Sequence, residues 1–468
     1  MSRKPNRFPK WEFHPRRLRR ATSARKSDFE KVKLTSNCRD ILSRRSTIKP
    51  ESEISSKPLH GIVFQMDLNS SEVAEEVRKK TILHWNYRDF KELPIVLRSY
   101  GSHVKEIYLK WNHLKSLPAW IEELENLTNL YLCGNFIQTL PPEVQYTRLT
   151  LLDLNSNRLE TIPSSIGNLG TLKCLLLDEN LITRIPLSCS QLWNLEYFSI
   201  SNNRLIILPE WLGSLPKLED LIVDNNFLEE LPNRLTLAPE LRNISVCSNR
   251  LKYLPLNGFV SSPFIQFDQN RDLNYLSYPL LSQLVSKIRN SFGGDLRNAV
   301  ARGCFLSIPR SDFRSCNIKL RLSEEIGIEE ITIDLPRQLM TVHKISENVV
   351  TSLWELALRK VYSTRYHHSL EITSPLNVKV SYEPFFQENS DLKFSENCIP
   401  YVLIENGPVS ICVNNSCQEP IFTDAWVTFG LGSDVYEIPT VALFCSHRCA
   451  AQFSTLSGSR NNRFFINE

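Results

Sequence analysis

From residue 83 onward the chain repeats one pattern of apolar and polar positions, L-x-L-x-x-N-x-L-x-x-L-P, in stretches such as VKEIYLKWNHLKSLP, LTNLYLCGNFIQTLP and LEDLIVDNNFLEELP. Seven copies keep register through Asn112, Asn135, Asn157, Asn180, Asn203, Asn226 and Asn249, each followed by a proline, from Pro118 to Pro255. The alternation that opens each block predicts a short strand. The spaced apolar residues that follow predict a return leg, so that stacked copies share one continuous core. The asparagine answers a separate need: its amide can satisfy backbone groups in the tight turn between neighbouring coils.

A period of 22 or 23 residues with this signature is that of a leucine-rich repeat solenoid. The predicted fold class is α/β: a right-handed horseshoe, then a small mixed C-terminal domain, with a disordered tail in front. A degenerate first coil, LHWNYRDFKELP, puts Arg88 where asparagine belongs, and a degenerate last coil carries Asn270. Atypical ends are expected of caps. Upstream, Asn69 and Glu72 read as a helix start before an amphipathic stretch with Val73 and Val77, which would shield the first coil. The predicted boundaries are a tail at 1–60, the solenoid with its cap at 61–280, a connector at 281–345 and a C-terminal adaptor domain at 346–468.

The concave side of the horseshoe is the expected interaction surface, because alternate strand side chains there point away from the core. Aromatic groups gather near its N-terminal end at Tyr108, Trp111 and Tyr131, and carboxylates follow at Asp153, Asp178, Asp220 and Asp224. Aromatics suit an interface, and the acids suit a partner with a basic patch. A solvated strand face is the plainer reading.

Two segments of the C-terminal region carry further chemistry. The stretch TSLWELALRKVYS opens with a capping box, Ser352 and Glu355, and predicts a helix. Its apolar residues (Leu353, Trp354, Leu356, Ala357, Leu358 and Val361) spread around the helix. Such a helix must be buried on more than one side, deep in its own domain or with one face given to another protein. Downstream, Cys412-x4-Cys417 and Cys445-x3-Cys449 form two close pairs joined by an alternating, hairpin-like stretch. Four thiolates closing a tetrahedron with no open position predict a structural Zn²⁺ site rather than a catalytic one. His447 could replace one thiolate, and four unligated thiols remain the alternative.

Charge is polarised along the chain: residues 1–60 hold 17 basic and 6 acidic side chains out of 55 and 51 in all, so the remainder is acidic. RRLRR (Arg16 to Arg20) could serve nuclear import, but nothing interleaves aromatics with base-reading side chains, so sequence-specific nucleic-acid binding is not expected. No stretch is long and apolar enough for a membrane span, and the N-terminal residues lack the apolar region of a secretory signal. A cytoplasmic location is expected, with the nucleus left open by the basic tail. G-x-x-x-x-G-K-[ST], H-E-x-x-H and G-x-S-x-G are all missing from the sequence, and no enzymatic activity is predicted.

The spacing Ser352-Leu353-x3-Ala357-x3-Val361 fits an elongin-binding box, and CIPYVLIENG, with Ile399 and Pro400, supplies the apolar-Pro pair of a cullin-selecting segment. On its own the helix pattern is loose, since residue frequencies give it about 0.6 times per chain of this length. The order of parts adds to it. NYRDFKELP, DQNRDLNYL, SLWELALRKVY, IPYVL, CQEPIF and FCSHRC together resemble the leucine-rich repeat-containing protein 28/58 family over roughly residues 80–455. The resemblance implies a non-enzymatic substrate receptor of an elongin B/C cullin–RING ubiquitin ligase. Leu353, Ala357 and Val361 would dock elongin, Ile399 and Pro400 would help select the cullin, and the concave face would hold a protein substrate. The rival reading is a scaffold that assembles signalling partners without ubiquitination.

Overall fold

The computed structural model describes residues 71–273, 275–284, 317–321, 330–344, 348–366, 370–372, 378–380, 399–414, 416–432, 438–457 and 462–465. The basic tail, Asn69 and much of the 281–345 stretch lie outside the described residues.

Nine three-residue strands form one parallel sheet in chain order: β1 (Ile82–His84), β2 (Glu106–Tyr108), β3 (Asn129–Tyr131), β4 (Leu151–Asp153), β5 (Cys174–Leu176), β6 (Tyr197–Ser199), β7 (Asp220–Ile222), β8 (Asn243–Ser245) and β9 (Phe264–Gln266). The middle residue of each strand (Leu83, Ile107, Leu130, Leu152, Leu175, Phe198, Leu221, Ile244, Ile265) is buried, as a sheet with one face on a core requires. Six coils return through a short 3-10 helix, and the prolines explain where these begin. Pro118, Pro141, Pro163, Pro186, Pro209 and Pro232 precede five-residue 3-10 helices and sit at φ between −74° and −57°, the range their rings enforce.

The asparagines form the predicted ladder. Asn180 is typical: its Nδ2 donates to the Leu154 and Leu177 carbonyls at 3.0 and 3.1 Å, and its Oδ1 accepts the Leu159 N–H at 3.0 Å. Every such amide replaces water for backbone groups that the turn would otherwise strand. The residue before the ladder asparagine takes the left-handed conformation at Gly134, Ser156, Glu179, Asn202, Asn225 and Ser248. Most are small or polar, types that tolerate it.

The N-terminal cap is α1 (Ser71–Lys79), which buries Val73 and Val77 as expected. Arg88, standing in for the ladder asparagine, bridges to the cap: its Nη1 lies 2.9 Å from Glu76 Oε2, which also accepts the Trp85 indole N–H at 3.1 Å. Burial pushes the Glu76 carboxyl up, but the hydrogen bonds from Trp85, Lys80 and Arg88 together hold it below its ordinary value. The short α2 (Val96–Tyr100) completes the first coil.

The C-terminal module is built directly on the last coils. Its strands include three antiparallel pairs, β11 (Asn317–Arg321) with β12 (Glu330–Asp334), β14 (Leu370–Ile372) with β15 (Val378–Val380) and β16 (Ser410–Ile411) with β17 (Pro420–Ile421), and a five-stranded sheet that runs β10 (Leu276–Ser277), β19 (Ile438–Phe444), β18 (Asp424–Gly432), β13 (Thr341–Lys344), with β20 (Asn462–Phe465) also paired to β18. β10 belongs to the solenoid's end, so this sheet is started by one region and finished by the other. The β18–β19 pair is the hairpin expected between the cysteine pairs, with Trp426 opposite Phe444. Tyr253, Leu256 and Tyr275 of the solenoid share one apolar core with Ile333, Leu335, Leu339, Trp426 and Phe444. Polar bonds cross the same joint: Tyr275 Oη donates to the Asp334 carbonyl at 2.8 Å, and Asn257 Oδ1 accepts the Ile411 N–H at 2.6 Å. The stretch assigned to a connector therefore contributes a strand, β13, to the five-stranded sheet and three core side chains to this module. Periodicity could not show that, because a four-residue strand paired to a partner 83 residues away has no local signature.

Candidate metal centre and docking helix

Two loops carry the four thiols. Cys412 and Cys417 flank a tight turn in which the Cys417 N–H donates to the Asn414 carbonyl at 2.9 Å, and Asn414 Oδ1 accepts the Ser416 N–H and hydroxyl. Asn414 Nδ2 then donates to Gln452 on α5 (His447–Ser457), tying the turn to that helix. Cys445 directly follows β19, and Cys449 lies in the first turn of α5, where Ser446 Oγ accepts its N–H at 3.3 Å.

The four Sγ atoms lie within 4.8 Å of one another; Cys417–Cys445 and Cys445–Cys449 are 3.3 and 3.7 Å apart. Four sulfurs at Zn–S bonds of about 2.3 Å would stand roughly 3.8 Å apart at the edges of a tetrahedron. The donor set therefore fits the size and softness of a thiolate-bound ion. His447 opens α5 but is outside this group. Burial pushes the Cys417 thiol up to about 12, and the Cys412 thiol together with burial drives Cys445 upward as well. Such thiols hold their protons at neutral pH until a cation displaces them.

The helix α3 (Leu353–Tyr366) reverses the expected distribution of polarity. Glu355 is fully buried and Arg359 nearly so, on the same side as Leu358 and Tyr362, whereas Leu353 (83% exposed), Trp354, Leu356, Ala357 and Val361 face outward. Of the two expected placements, deep in its own domain or with one face left for another protein, the first is corrected: α3 is buried along one side only. Leu353, Ala357 and Val361 follow one another at i, i+4 and i+8, so they form a single stripe. The reason for the inversion is a polar clamp. Glu355 accepts the N–H groups of Phe422, Thr423 and Asp424 at 2.9, 2.7 and 3.2 Å and the Thr423 hydroxyl at 2.9 Å, and pairs with Arg359 Nε at 2.8 Å. The capping box is half-formed. Ser352 Oγ accepts the Glu355 N–H at 3.2 Å, but the Glu355 carboxylate goes to the β17 (Pro420–Ile421) to β18 turn instead of back to Ser352, whose N–H donates to Asp424.

Beside α3 runs α4 (Ile399–Asn406), whose Leu403 and Ile404 pack with Leu358, Tyr362 and Phe422. Ile399 and Pro400 occupy its first two positions, where a proline costs no helical hydrogen bond. The elongin- and cullin-type segments, 46 residues apart at their first positions, are thus brought side by side, and Val402 is exposed.

On the strand face, Tyr108 and Tyr131 are in register and stack at 4.2 Å, with His84 on the other side of Tyr108 at 4.8 Å. Trp111 is half exposed and left-handed at φ 55°, and its ring covers Gly134, where an added Cβ would come within 2.6 Å of it. The carboxylates are engaged by neighbouring coils. Asp153 is buried and paired to Lys110 at 3.5 Å; Asp178 accepts the Ser201 N–H; Asp220 is buried and bound by Asn243; Asp224 accepts Ser245 Oγ and the Cys247 N–H, both at 2.7 Å. Burial raises the Asp220 and Asp224 carboxyls, and these hydrogen bonds oppose it only in part. The acidic lining expected from the sequence is in large part internal bracing.

Glu355 and Arg359 were missed as a buried pair; a Glu and Arg four apart amid apolar neighbours was the available signal. Among the described residues no helix is long and apolar enough to cross a membrane.

Residues 125–182 and 194–215 match the leucine-rich repeat families "Leucine rich repeat" and "Leucine Rich Repeat". The chain is 28% identical over 135 residues to "Probable serine/threonine-protein kinase pats1" of Dictyostelium discoideum, covering 28% of this chain and 4% of that protein. It is also 28% identical over 161 residues to "Plant intracellular Ras-group-related LRR protein 8" of Oryza sativa subsp. japonica, covering 33% of this chain and 43% of that one. The match thus spans less than half of either relative. Among solved structures, an internalin C2 from Listeria monocytogenes is similar with a TM-score of 0.33 at 24% identity, over 38% of this chain and 76% of that one. With the nine-stranded sheet and the asparagine ladder, the repeat matches establish that the chain contains a leucine-rich repeat solenoid, a fold whose business is binding other proteins.

Proposed function

We propose that the protein is a non-enzymatic substrate receptor of an elongin B/C cullin–RING ubiquitin ligase. The solenoid captures a protein substrate, and the C-terminal module recruits the ligase. In this reading Leu353, Ala357 and Val361 dock elongin, and Ile399 and Pro400 on the adjoining α4 bias the choice of cullin. Zn²⁺ held by Cys412, Cys417, Cys445 and Cys449 stabilises the module. The resemblance to the leucine-rich repeat-containing protein 28/58 family points the same way.

The observation that carries the reading is the outward stripe of α3. The clamp accounts for the burial of Glu355 and Arg359, but among the described residues nothing covers Leu353, which stands 83% exposed at the head of an apolar stripe. A helix fixed by a polar clamp on one side offers a rigid apolar ridge on the other, which is what helix-in-groove docking uses. Exposed Trp111 and half-buried Tyr108, which stacks on the buried ring of Tyr131, are where the substrate is expected to bind, since aromatic anchors dominate such interfaces.

Co-purification with elongin B/C tests the reading. The full chain should form a 1:1:1 complex, and Leu353→Ala should lose it while retaining the wild-type circular dichroism; exposed Lys91→Ala serves as control. Failure of the folded wild-type chain to bind would leave the scaffold reading, with partners to be sought on the solenoid.

A further inference from the structure

Resting on the adaptor reading above, we propose that the thiolate centre and the docking helix act as one coupled unit, with Arg359 and Thr351 as the positioning residues that join them through the carbonyl of Cys445. Arg359 Nη1 donates to that carbonyl at 3.2 Å, and the Thr351 hydroxyl, two residues before α3, donates to it at 3.3 Å. The same guanidinium is held by Glu355, and Glu355 is held by the N–H groups of Phe422 to Asp424. A continuous chain of bonds thus runs from a residue of the thiolate cluster to the helix whose opposite face carries Leu353, Ala357 and Val361.

Two observations favour coupling over simple proximity. Ser446 ties the turn after Cys445 to the start of α5, and the Val413 N–H donates to the Leu443 carbonyl at 3.0 Å, but the Cys445 carbonyl itself is held by the two donors from the α3 side. Metal-free, the two loops are joined by these bonds, by the Asn414–Gln452 bond, by the Cys417–Cys445 sulfur contact and by apolar packing. In addition, Arg359 Nη2 is buried without a hydrogen-bond partner. A tetrathiolate Zn²⁺ site carries a net charge near −2 by charge balance, and the Arg359 N–H on the Cys445 carbonyl places a buried donor beside that charge. Glu355 keeps the guanidinium buried, and the Cys445 carbonyl gives it a second partner outside its own helix.

Because binding couplings are reciprocal, what the metal does for the helix the helix must do for the metal. Occupied, the centre presents the Leu353 ridge in a fixed pose. Stripped, the clamp loses one wall and the ridge loses its orientation, while the solenoid, with its own ladder, stays folded.

The experiment uses the full chain, zinc-loaded and after chelation, with amide hydrogen exchange read by mass spectrometry and zinc affinity read by competition with a chromophoric chelator. Stripping zinc should speed exchange in 353–366 by about tenfold or more and leave β1–β9 unchanged. The zinc-loaded double variant Thr351→Val/Arg359→Lys should reproduce the softening of α3 and bind zinc several-fold more weakly, whereas the exposed Lys91→Ala should alter neither. Wild-type zinc affinity in the double variant, or equal protection of α3 with and without zinc, would overturn the coupling; so would a chain that takes up no zinc. Neither readout needs a partner, so loss of elongin capture by a zinc-loaded, well-protected chain would count against the adaptor reading alone.

Discussion

In the solenoid, Asn180 reaches backbone partners 2 to 26 residues away; in the C-terminal module, Glu355 closes bonds across 67 to 69 residues. The first kind of bond is repeated from Asn112 to Asn270, so the loss of one leaves its neighbours intact. The second kind occurs once. The module gathers its order into one carboxylate, one guanidinium and four thiols, and a single change there should be felt across the whole of it. A surface that must be presented rigidly to a partner benefits from such concentration, while an extended binding face is better served by redundancy.

Removing the metal should break this comparison most severely. Cys445→Ser, or chelation of the wild type, is expected to abolish a separate C-terminal unfolding transition, since structural zinc supplies on the order of 10 kcal/mol in small sites. Calorimetry should show the solenoid transition persisting. A single merged transition in both proteins would mean that the shared core around Tyr253, Tyr275 and Trp426 makes the two regions one cooperative unit.

Glu355→Ala comes next, with an expected loss of about 3–5 kcal/mol, because a buried guanidinium and three N–H groups lose their partner. Urea titration followed by Trp fluorescence measures it. Asn180→Ala should cost less, about 1–3 kcal/mol, since it orphans backbone groups of only two coils. Its effect on amide exchange should fade within a coil or two on either side, and a global loss of protection would contradict the repeat-by-repeat picture.

The smallest effect sharpens the comparison through pH. Burial pushes the Glu210 carboxyl up to about 7, against the N–H bonds from Asn233 and Arg234. The native state then keeps a proton between about pH 4.5, the unfolded value, and 7, where the unfolded chain has lost it. Stability contributed by this group is therefore largest below that window and declines as pH rises through it. Glu210→Gln should flatten that part of the stability–pH curve; an unchanged slope would place the titration elsewhere.

Much of this architecture could be read along the chain. The ladder asparagines, the prolines before each 3-10 helix and the two cysteine pairs all depend on spacing within one coil or one loop, and spacing is visible in a sequence. The cap was legible for the same reason, through Val73 and Val77. Residues whose role depends on a distant partner were not. Asp153 and Asp220 looked like surface acids because Lys110 and Asn243 reach them only across stacked coils.

The sequence by itself determined the solenoid, its register and the pairing of the four cysteines, because a repeated local pattern admits one way to stack. Tertiary structure alone decided which side of α3 is buried, that β13 and β10 join one sheet, and that α3 and α4 lie together. Apolar residues surround α3 almost evenly, so hydrophobicity could not choose its inner face. The choice was made by three N–H groups at 422–424 that needed an acceptor, and by the carboxylate of Glu355 that could supply it.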